Sequence, residues 1–367
     1  MTALPPSPNE MQQPPESDGF NVWNPEILSQ IDALIAVAAP QKEGEDNWDL
    51  VRQLIVTALK TEHAQLRRGD VKILSRSLRE LRYGFRIFKD YHNRRKVTIF
   101  GSARTPSTDP EYRQALVFAQ LMASQGFMTI TGAGPGIMEA GNEGAGLDNS
   151  FGINIRLPYE QAANKFIDKN PRFIDCRFFF TRKLMFLKET SAVAFFPGGF
   201  GTHDEAMETL TLVQTGKSDP MPVVFIDAPG GDYWTDWDRY IDKQLLQKKK
   251  ISSEDLNLYK ITDSAEEAVK EITRFYSNYH SMRFVKDQLV MRLQRPLTPE
   301  ALESINREFR DICLSGGFCA AKAFPEEQDY AELPRLAFQF NRINFGRLRQ
   351  LINRLNDPPQ WAGHDVK

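Results

Sequence analysis

The 367-residue chain carries 46 basic and 48 acidic side chains, and its net charge of −2 predicts no general attraction to nucleic acid or to an anionic membrane surface. Hydrophobic residues make up 41% and charged residues 26%, which is typical of a water-soluble globular protein. No apolar run approaches the length of a membrane span, and residues 1–20 lack the basic start and apolar stretch of a secretory signal.

The cysteines and histidines are few and scattered. Cys176, Cys313 and Cys319 have neither the spacing of metal ligands nor an even number for disulfide pairing. The five histidines form no pair at helical spacing. A reducing cytoplasm is therefore the predicted location, and neither a metal nor a cofactor is predicted.

The N-terminal part of the chain divides into two regions. Residues 1–24 are rich in Pro, Ser, Gln and Asn and are predicted to form a disordered tail. Residues 25–94 are predicted to be a helical extension, because apolar residues recur at spacings of three and four from Leu50 to Leu59 and from Leu74 to Phe88. The second helix has a basic face (Arg67, Arg68, Arg76, Arg79, Arg82), for which anion binding, solvation and pairing within an oligomer all remain open.

Residues 95–280 alternate between strand-like and helix-like segments. This pattern predicts an α/β fold with a doubly wound, Rossmann-like parallel sheet. The predicted strands are Val97–Phe100, Met128–Thr131, Gly152–Leu157, Arg172–Cys176, Ala192–Phe196, Val223–Asp227 and Tyr259–Ile261. The predicted helices are Tyr112–Gln125, Ile137–Leu147, Thr181–Thr190, Asp204–Gln214, Trp234–Lys248 and Ser264–Tyr276.

The last region, residues 281–367, is predicted to be a small α+β appendage with the order β-α-β-β-α. The sequence predicts a strand over Gln288–Leu293 and a helix over Thr298–Leu314. Phe318–Phe324 and Leu336–Phe340 are predicted to pair as a hairpin, and a final helix carries the apolar residues from Phe345 to Leu355.

Glycine-rich turns follow three of the predicted strands. They are Gly101-Ser102-Ala103, Gly132–Gly136 and Pro197–Thr202. Because the carboxyl ends of parallel strands share one edge of the sheet, all three turns are expected to line one crevice. Glycine backbones and helix N-termini present N–H groups to anions, so a phosphate or nucleotide is the predicted ligand. The spacing Gly132-x-Gly134-x-Gly136 differs from the dinucleotide-binding fingerprint.

The nine residues from Pro197 to Glu205, in the order PGGFGTHDE, carry the most specific signal in the chain. The glycines at 198, 199 and 201 permit positive φ angles and a close approach to a ligand. Thr202 is expected to cap the following helix and to offer its hydroxyl to the anion. Glu205 then falls in the first helical turn, where it either closes a capping box with Thr202 or places a carboxylate beside the ligand.

Two adjacent cations, Arg182 and Lys183, lie in the helical segment 178–188. If Thr181 caps this helix, both cations occupy its first turn, which is the unfavourable end of the helix dipole for positive charge. A residue that breaks a local rule suggests a function, and Arg182 would then clamp a phosphate or ribose oxygen. If the helix begins earlier, the pair merely flanks an apolar face.

Four motifs in this order resemble the Lonely Guy (LOG) family, once widely labelled "lysine decarboxylase-like". They are Gly101-Ser102, Gly132–Met138, Arg182-Lys183 and Pro197–Glu205. The resemblance covers residues 95–280 and implies a phosphoribohydrolase that splits a nucleoside 5′-monophosphate, AMP or a cytokinin-type nucleotide, into free base and ribose 5-phosphate. His203-Asp204 departs from the Leu-Glu of many members, which leaves the preferred base open.

The resemblance implies that Arg182 and Glu205 are catalytic. Glu205 would stabilise the ribosyl cation and position water, and Arg182 would orient the nucleotide. The predicted set for substrate and phosphate binding is Gly101, Ser102, Gly132, Gly134, Gly136, Met138, Lys183, Pro197, Gly198, Gly199, Gly201, Thr202 and Glu208. For Glu208 a solvated helix position is also open, and His203 is a candidate for protonating the leaving base.

Two classes of function remain open on the sequence. The first is the hydrolase, and the second is a non-catalytic nucleotide-binding sensor or carrier of the same fold, which need not keep the Arg182/Glu205 pair. A decarboxylase would need pyridoxal phosphate on a Schiff-base lysine, and nothing around Lys183 indicates one. The predicted partners are a small-molecule nucleotide and, as the family implies, a second copy in a homodimer or larger homo-oligomer; no nucleic acid or membrane is predicted.

Overall fold

The computed structural model of the protein describes residues 25–39, 47–157, 163–327, 329–358 and 361; the predicted tail, residues 1–24, lies outside the described residues. The helices are α1 (Pro25–Ala38), α2 (Trp48–His63), α3 (Arg68–Phe88), α4 (Pro110–Ser124), α5 (Ile137–Ala145), α6 (Phe179–Lys188), α7 (Phe200–Gln214), α8 (Tyr233–Ile241), α9 (Ala265–Phe275), α10 (Pro299–Glu308) and α11 (Phe345–Leu355). The strands are β1 (Lys96–Phe100), β2 (Met128–Thr131), β3 (Ser150–Ile155), β4 (Phe173–Cys176), β5 (Ala192–Phe195), β6 (Val223–Ile226), β7 (Lys260–Thr262), β8 (Tyr279–Val285), β9 (Gln288–Leu293), β10 (Cys319–Ala321) and β11 (Arg335–Phe338).

The chain divides into two compact units, Met1–Arg79 and Glu80–Lys367, and the division falls within α3. In the first unit, α1 and α2 are joined by a salt bridge between Arg52 Nε and Asp32 Oδ1 at 2.6 Å. The helices predicted from the apolar spacing are present. The division into four regions made from the sequence stays a prediction.

The second unit is built on a seven-stranded, all-parallel sheet with the order β4-β3-β2-β1-β5-β6-β7. The predicted α/β fold with a doubly wound sheet is confirmed. Strand β1 pairs with β2 on one side and with β5 on the other. The chain therefore runs outward in both directions from the β1–β5 pair, and the carboxyl ends of these two strands form the switch point at which such sheets bind ligands.

Helices cover both faces of this sheet, which is why its strands are continuous apolar runs in the sequence. Val97 and Ile99 of β1 pack into one hydrophobic cluster, which includes α4, α5 and α9 residues. Phe100 packs into the cluster on the opposite face with residues of α6, α7 and α8, including Phe186 and Trp234. Each buried side chain of this size stabilises the folded state by about 2 kcal/mol. The well-packed sheet therefore holds the loops at its edge in fixed positions.

The C-terminal appendage is a four-stranded antiparallel sheet with the order β10-β11-β9-β8, accompanied by α10 and α11. The predicted hairpin is confirmed, since Cys319 pairs with Ala337 and Ala321 with Arg335. Strand β8 is absent from the predicted order, which is therefore corrected to β-β-α-β-β-α. The register shift between Tyr279 and Ser281 interrupts the two-residue alternation, and this irregularity hides the strand in the sequence.

Two predicted helices are longer than the observed ones. The helix predicted to reach Leu314 ends at Glu308, and a 3₁₀ turn over Arg310–Ile312 continues its apolar spacing. The helix predicted to reach Lys248 ends at Ile241 and passes into a π turn over Asp242–Leu246. Apolar periodicity thus continues into tighter or wider turns and overestimates helix length. Within the described ranges, no helix combines the length and apolar character needed to cross a bilayer.

Candidate active site

A cleft of about 860 Å³ opens at the switch point of the parallel sheet. The glycine turns after β1, β2 and β5 supply three of its sides, and α6 and the end of β3 supply the others. The parallel sheet brings these three turns together because each follows the carboxyl end of a neighbouring strand. The cleft is therefore the position at which a doubly wound sheet offers backbone amides to a ligand.

Ser102 holds the first glycine turn against the other two. Its N–H donates to the carbonyl of Pro197 at 3.0 Å, and its own carbonyl accepts from the N–H of Ile137 at 3.0 Å. Gly136 adopts a positive φ of 68°, and a Cβ there would lie 2.3 Å from the Ser102 carbonyl oxygen. Gly136 is thus required for the contact between loops, and it does not line the cleft wall.

Buried amide side chains fix the second turn. Asn164 Nδ2 donates to the Gly134 carbonyl at 3.0 Å and to Asn142 Oδ1 at 3.0 Å. The hydroxyl of Thr131 also donates to Asn142 Oδ1, at 2.7 Å, and accepts from the N–H of Ala133 at 3.0 Å. These side chains are not among the predicted site residues, because a lone Asn carries no motif in the sequence. They make the second turn a rigid wall of the cleft.

Helix α7, which follows the third turn, begins earlier than predicted. Gly199 is the N-cap, α7 starts at Phe200, and no side chain caps the helix. The prediction that Thr202 caps this helix is therefore wrong, since Thr202 is the third helical residue and is buried. The amides of Phe200 and Gly201, in the first turn of α7, donate to no other described residue.

The glycines of this turn provide space, and their φ angles are not positive. None of Gly198, Gly199 and Gly201 has a positive φ, so the expectation that this turn uses positive φ angles is wrong. A Cβ on Gly198 would lie 2.1 Å from the Thr202 hydroxyl oxygen, which only glycine tolerates. At Gly199 and Gly201 a Cβ would project into open space, and both residues line the cleft. Their lack of a side chain leaves room for a ligand.

Glu205 lies in the second turn of α7, and the first-turn position predicted for it is wrong. No capping box forms, and the residue is only 4% exposed while it lines the cleft. Burial raises the pKa of Glu205, and the nearby charges of Lys183 and Arg182 offset that effect only in part. The carboxyl group is thus held in the cleft wall with its pKa above the ordinary range.

Lys183, which does not line the cleft, forms ion pairs with three carboxylates. Its Nζ lies 3.0 Å from Asp204 Oδ2, 3.3 Å from Glu205 Oε2 and 3.0 Å from Glu208 Oε2, and its side chain is 14% exposed. Burial acts to lower the pKa of Lys183, but the bond with Glu208 and the charge of Glu205 outweigh it and raise the pKa. Lys183 is therefore a cation committed to carboxylates.

Arg182 lines the same cleft as Glu205. Its guanidinium carbon lies 5.1 Å from the ring centre of Phe179 and 5.4 Å from that of Phe186, and its buried Nε has no hydrogen-bond partner among the described residues. Burial lowers the pKa of Arg182, although the charge of Glu205 acts in the opposite direction. The residue thus contributes a buried cation to the cleft wall.

The start of α6 explains how its two cations are tolerated. Phe178 is the N-cap, so the helix begins before Thr181, which is the second of the two alternatives left open by the sequence, and Arg182 falls in the second turn. A carboxylate from α3 occupies the N-terminus instead, because Glu80 accepts from the N–H of Arg177 at 3.0 Å and from the hydroxyl of Thr181 at 2.7 Å. An acid at this end of the helix is favourable for the dipole and offsets the neighbouring positive charge.

The structure brings most of the predicted site residues into the cleft wall. Those in the wall are Gly101, Ser102, Gly132, Gly134, Met138, Arg182, Gly198, Gly199, Gly201, Thr202 and Glu205. Gly136, Lys183, Pro197 and Glu208 are not in the wall, and their role in binding a substrate stays a prediction. Arg104, Asn154, Phe179 and Phe200 line the cleft without having been predicted. Arg104 directly follows the Gly-Ser turn, and that position is the signal by which it was identifiable.

A second cavity of about 790 Å³ lies on the other side of Lys183. It is bordered by α6, α7 and the start of the appendage at Tyr279 and His280. Glu208 and Lys183 line this cavity instead of the cleft. Of the three carboxylates bound to Lys183, Glu205 therefore lines the cleft and Glu208 the second cavity, and Asp204 lines neither.

Comparison with known proteins supports the family resemblance. Residues 130–272 match the family model described as "Possible lysine decarboxylase". The resemblance to the LOG family inferred from the motifs is confirmed over that part of the chain. A search of the curated proteins found no match.

Several solved structures are similar to about half of the chain. The molybdenum cofactor binding protein from the bacterium Rippkaea orientalis is 18% identical, with a TM-score of 0.36, and the match covers 49% of this chain and 96% of that one. The molybdenum cofactor carrier protein from Chlamydomonas reinhardtii is 16% identical, with a TM-score of 0.36 and coverage of 49% and 97%. DNA processing protein A from Helicobacter pylori is 14% identical, with a TM-score of 0.34 and coverage of 49% and 80%. At these identities and TM-scores, no inference about function follows.

Proposed function

We propose that the protein hydrolyses the N-glycosidic bond of a nucleoside 5′-monophosphate, AMP or a cytokinin-type nucleotide, and releases the free base and ribose 5-phosphate. The observation that carries the proposal is the position of Glu205, a buried carboxylate in the wall of the cleft that the three glycine turns border. This carboxylate is not used as a helix cap, and besides its ion pair with Lys183 it lines the space that a substrate would fill.

The 5′-phosphate would bind at the start of α7. The N–H groups of Phe200 and Gly201, which find no acceptor in the described part of the chain, and the positive end of the helix dipole favour an anion there. The open space beside Gly199 leaves room for it, and Arg104 adds an exposed cation on the cleft wall. Binding of the phosphate would fix the ribose relative to Glu205.

Glu205 would act on the anomeric carbon. Cleavage of an N-glycosidic bond passes through a ribosyl cation with oxocarbenium character, as in glycoside hydrolysis. A carboxylate held beside that carbon stabilises the developing charge and positions or deprotonates the attacking water. The burial of Glu205, which raises its pKa, also makes its negative charge more effective when the cation forms.

Arg182 would hold the nucleotide from the α6 side of the cleft. Its planar guanidinium, which lines the cleft, suits a phosphate or ribose oxygen. The exposed rings of Phe179 and Phe200 flank the cleft and offer flat apolar surface to a base. This arrangement supports turnover of a nucleotide over simple carriage, because a carrier has no use for the buried acid.

The decarboxylase description does not fit the residues present. Its cofactor would need a neutral lysine amine for a Schiff base. Lys183 instead has three carboxylates around its Nζ, and its pKa is raised. We therefore assign no step to such a cofactor.

A panel of nucleoside mono-, di- and triphosphates, analysed by chromatography for free base, tests the proposal. We expect adenine or another base, together with ribose 5-phosphate, from a monophosphate. The Glu205→Gln protein, purified in the same way, controls for contaminating hydrolases. Tight binding of a nucleotide without any release of base would instead identify a sensor or carrier.

We propose that the protein acts as a homodimer in the cytoplasm. The face formed by α6 and the start of α7 exposes Phe179, Phe180, Leu184 and Phe200, and Phe200 is 95% exposed. A cluster of exposed large apolar side chains favours an interaction surface. The three cysteines are free thiols, which agrees with a reducing compartment.

Light scattering should give the mass of a dimer, and Phe180→Asp should shift the mass to that of a monomer. A charge at one of these exposed apolar positions opposes its burial against a second copy. Ile343→Asp, at an exposed apolar position of the appendage, is the matched control and should leave the mass unchanged. A wild-type protein that is monomeric at all concentrations would contradict the proposed dimer.

The pH profile should report the ionisation of Glu205. Glu205 must be charged to act, so kcat/KM falls as the pH drops through its pKa. Because burial raises the pKa of Glu205, this fall on the acid side of the profile (the acid limb) lies at a higher pH than for an ordinary glutamate. Lys183→Met removes a charge that lowers the pKa, so the limb should move to higher pH. Lys188→Met, an exposed position on the same helix, should leave the limb in place. Coincident profiles for K183M and wild type would assign the limb to another group.

A further inference from the structure

We propose that Tyr233 is a positioning residue that aims the Gly199 N–H into the cleft as a donor to the substrate phosphate. The inference deepens the proposed function and rests on it for the identity of the phosphate. Tyr233 opens α8 and does not line the cleft itself. It acts through the backbone of the third glycine turn.

The hydroxyl of Tyr233 links two parts of the site. It bonds to the Gly198 carbonyl, and it lies 2.7 Å from His203 Nε2. A carbonyl only accepts, so the single hydroxyl proton of Tyr233 goes to Gly198, and the hydroxyl oxygen accepts from His203 Nε2–H. Burial raises the pKa of Tyr233 and lowers that of His203, so the tyrosine keeps its proton and the imidazole tends to be neutral.

The bond to Gly198 sets the direction of the next amide. The carbonyl of Gly198 and the N–H of Gly199 belong to one planar trans peptide, in which they point in opposite directions. The carbonyl points to Tyr233, outside the cleft wall, so the Gly199 N–H points the other way. That N–H donates to no described residue, and Gly199 faces open space in the cleft.

Close packing prevents this peptide from turning over. A Cβ on Gly198 would lie 2.1 Å from the Thr202 hydroxyl oxygen and 3.0 Å from the Ser102 nitrogen. Gly198 is therefore enclosed by α7 on one side and by the first glycine turn on the other. His203 packs against Tyr233 and Trp234, with ring centres 5.9 and 5.6 Å apart, and this holds the phenol in place. The donor is therefore oriented before a ligand arrives, which lowers the cost of binding.

Tyr233→Phe tests the inference because it removes the hydroxyl and keeps the ring. Calorimetry with ribose 5-phosphate and with inorganic phosphate should show binding weakened roughly tenfold, the usual size of one hydrogen bond to a charged group. In turnover, KM should rise by a similar factor while kcat changes little, because phosphate binding is common to the ground and transition states. Tyr240→Phe, an exposed tyrosine of the same helix, is the matched control.

A second variant addresses the amide itself. Gly199 has a φ of −87°, close to the value that proline imposes, so Gly199→Pro removes the N–H with little change of the backbone angle. It should weaken ribose 5-phosphate binding at least as much as Y233F does. Unchanged affinity in Y233F and G199P, or a wild-type protein that binds neither probe, would overturn the inference.

The outcomes separate this inference from the proposed function. Release of base by the wild-type protein, with unchanged phosphate affinity in Y233F, would leave the hydrolase standing and remove the role of Tyr233. Weakened ribose 5-phosphate binding in Y233F, in a protein that releases no base from any nucleotide, would support the role of Tyr233 and remove the hydrolase.

Discussion

Glu205→Gln should abolish the release of base from a nucleoside monophosphate and leave nucleotide binding within a few-fold of wild type. The amide has the shape of the carboxyl group, but it carries no charge to stabilise a ribosyl cation and does not activate water. Loss of a group with both roles typically lowers kcat by roughly 10³-fold. The measurement is single-turnover release of base, with nucleotide affinity determined by calorimetry on the same preparation.

Glu208→Gln is the matched control for this variant. Glu208 pairs with the same lysine, one turn along α7, but it lines the second cavity and not the cleft. The E208Q protein should therefore keep most of its turnover. Turnover near the wild-type rate in E205Q would remove Glu205 from the mechanism, and a loss of equal size in E208Q would assign the effect to the charge cluster as a whole.

The stability of E205Q gives an independent check. The folded-state pKa of Glu205 is raised, so its ionised form is less favourable in the fold than in the unfolded chain. This contribution to stability therefore falls as pH rises from the unfolded pKa through the folded one. At neutral pH, E205Q should unfold at a temperature no lower than wild type, and a large drop would indicate a mainly structural carboxylate.

The sequence predicted the framework of the site better than its electrostatics. Buried parallel strands leave continuous apolar runs, and glycine turns leave an unmistakable composition, so β1, β2 and β5 and the turns after them were identifiable. The partners of Lys183 depend on how α6 packs against α7. No spacing between residue 183 and residues 204–208 reveals that its Nζ lies within 3.3 Å of three carboxylates.

The local sequence also predicted the first residues of α6 and α7 incorrectly. Thr202 and Thr181 are good capping residues in isolation, yet both are the third residue of their helix. At α6, no side chain caps the helix, and Glu80 from a distant helix places a carboxylate at its start by accepting from the N–H of Arg177 and the hydroxyl of Thr181. At α7, the first amides have no acceptor in the described chain, which is the arrangement expected where an anionic ligand takes that place.

Arg182→Ala should lower kcat/KM by roughly 10²- to 10³-fold with little change in stability. The guanidinium is a preorganised donor in a partly desolvated cleft, where such groups are worth several factors of ten to a transition state. Its buried Nε has no hydrogen-bond partner among the described residues, and burial already lowers the pKa of the guanidinium. The folded protein therefore loses little beyond the contacts with the rings of Phe179 and Phe186. Steady-state kinetics and thermal unfolding measure the two effects.

The same variant should also move the acid limb of the pH profile. The charge of Arg182 lowers the pKa of Glu205, so its removal raises that pKa, and activity is then lost at a higher pH than in wild type. Arg177→Ala, an exposed arginine just before α6, is the control and should change neither kcat/KM nor the limb. Unchanged kcat and KM in R182A would make Arg182 structural only. A reduced kcat/KM with an unmoved limb would mean that Arg182 holds the nucleotide without acting on Glu205.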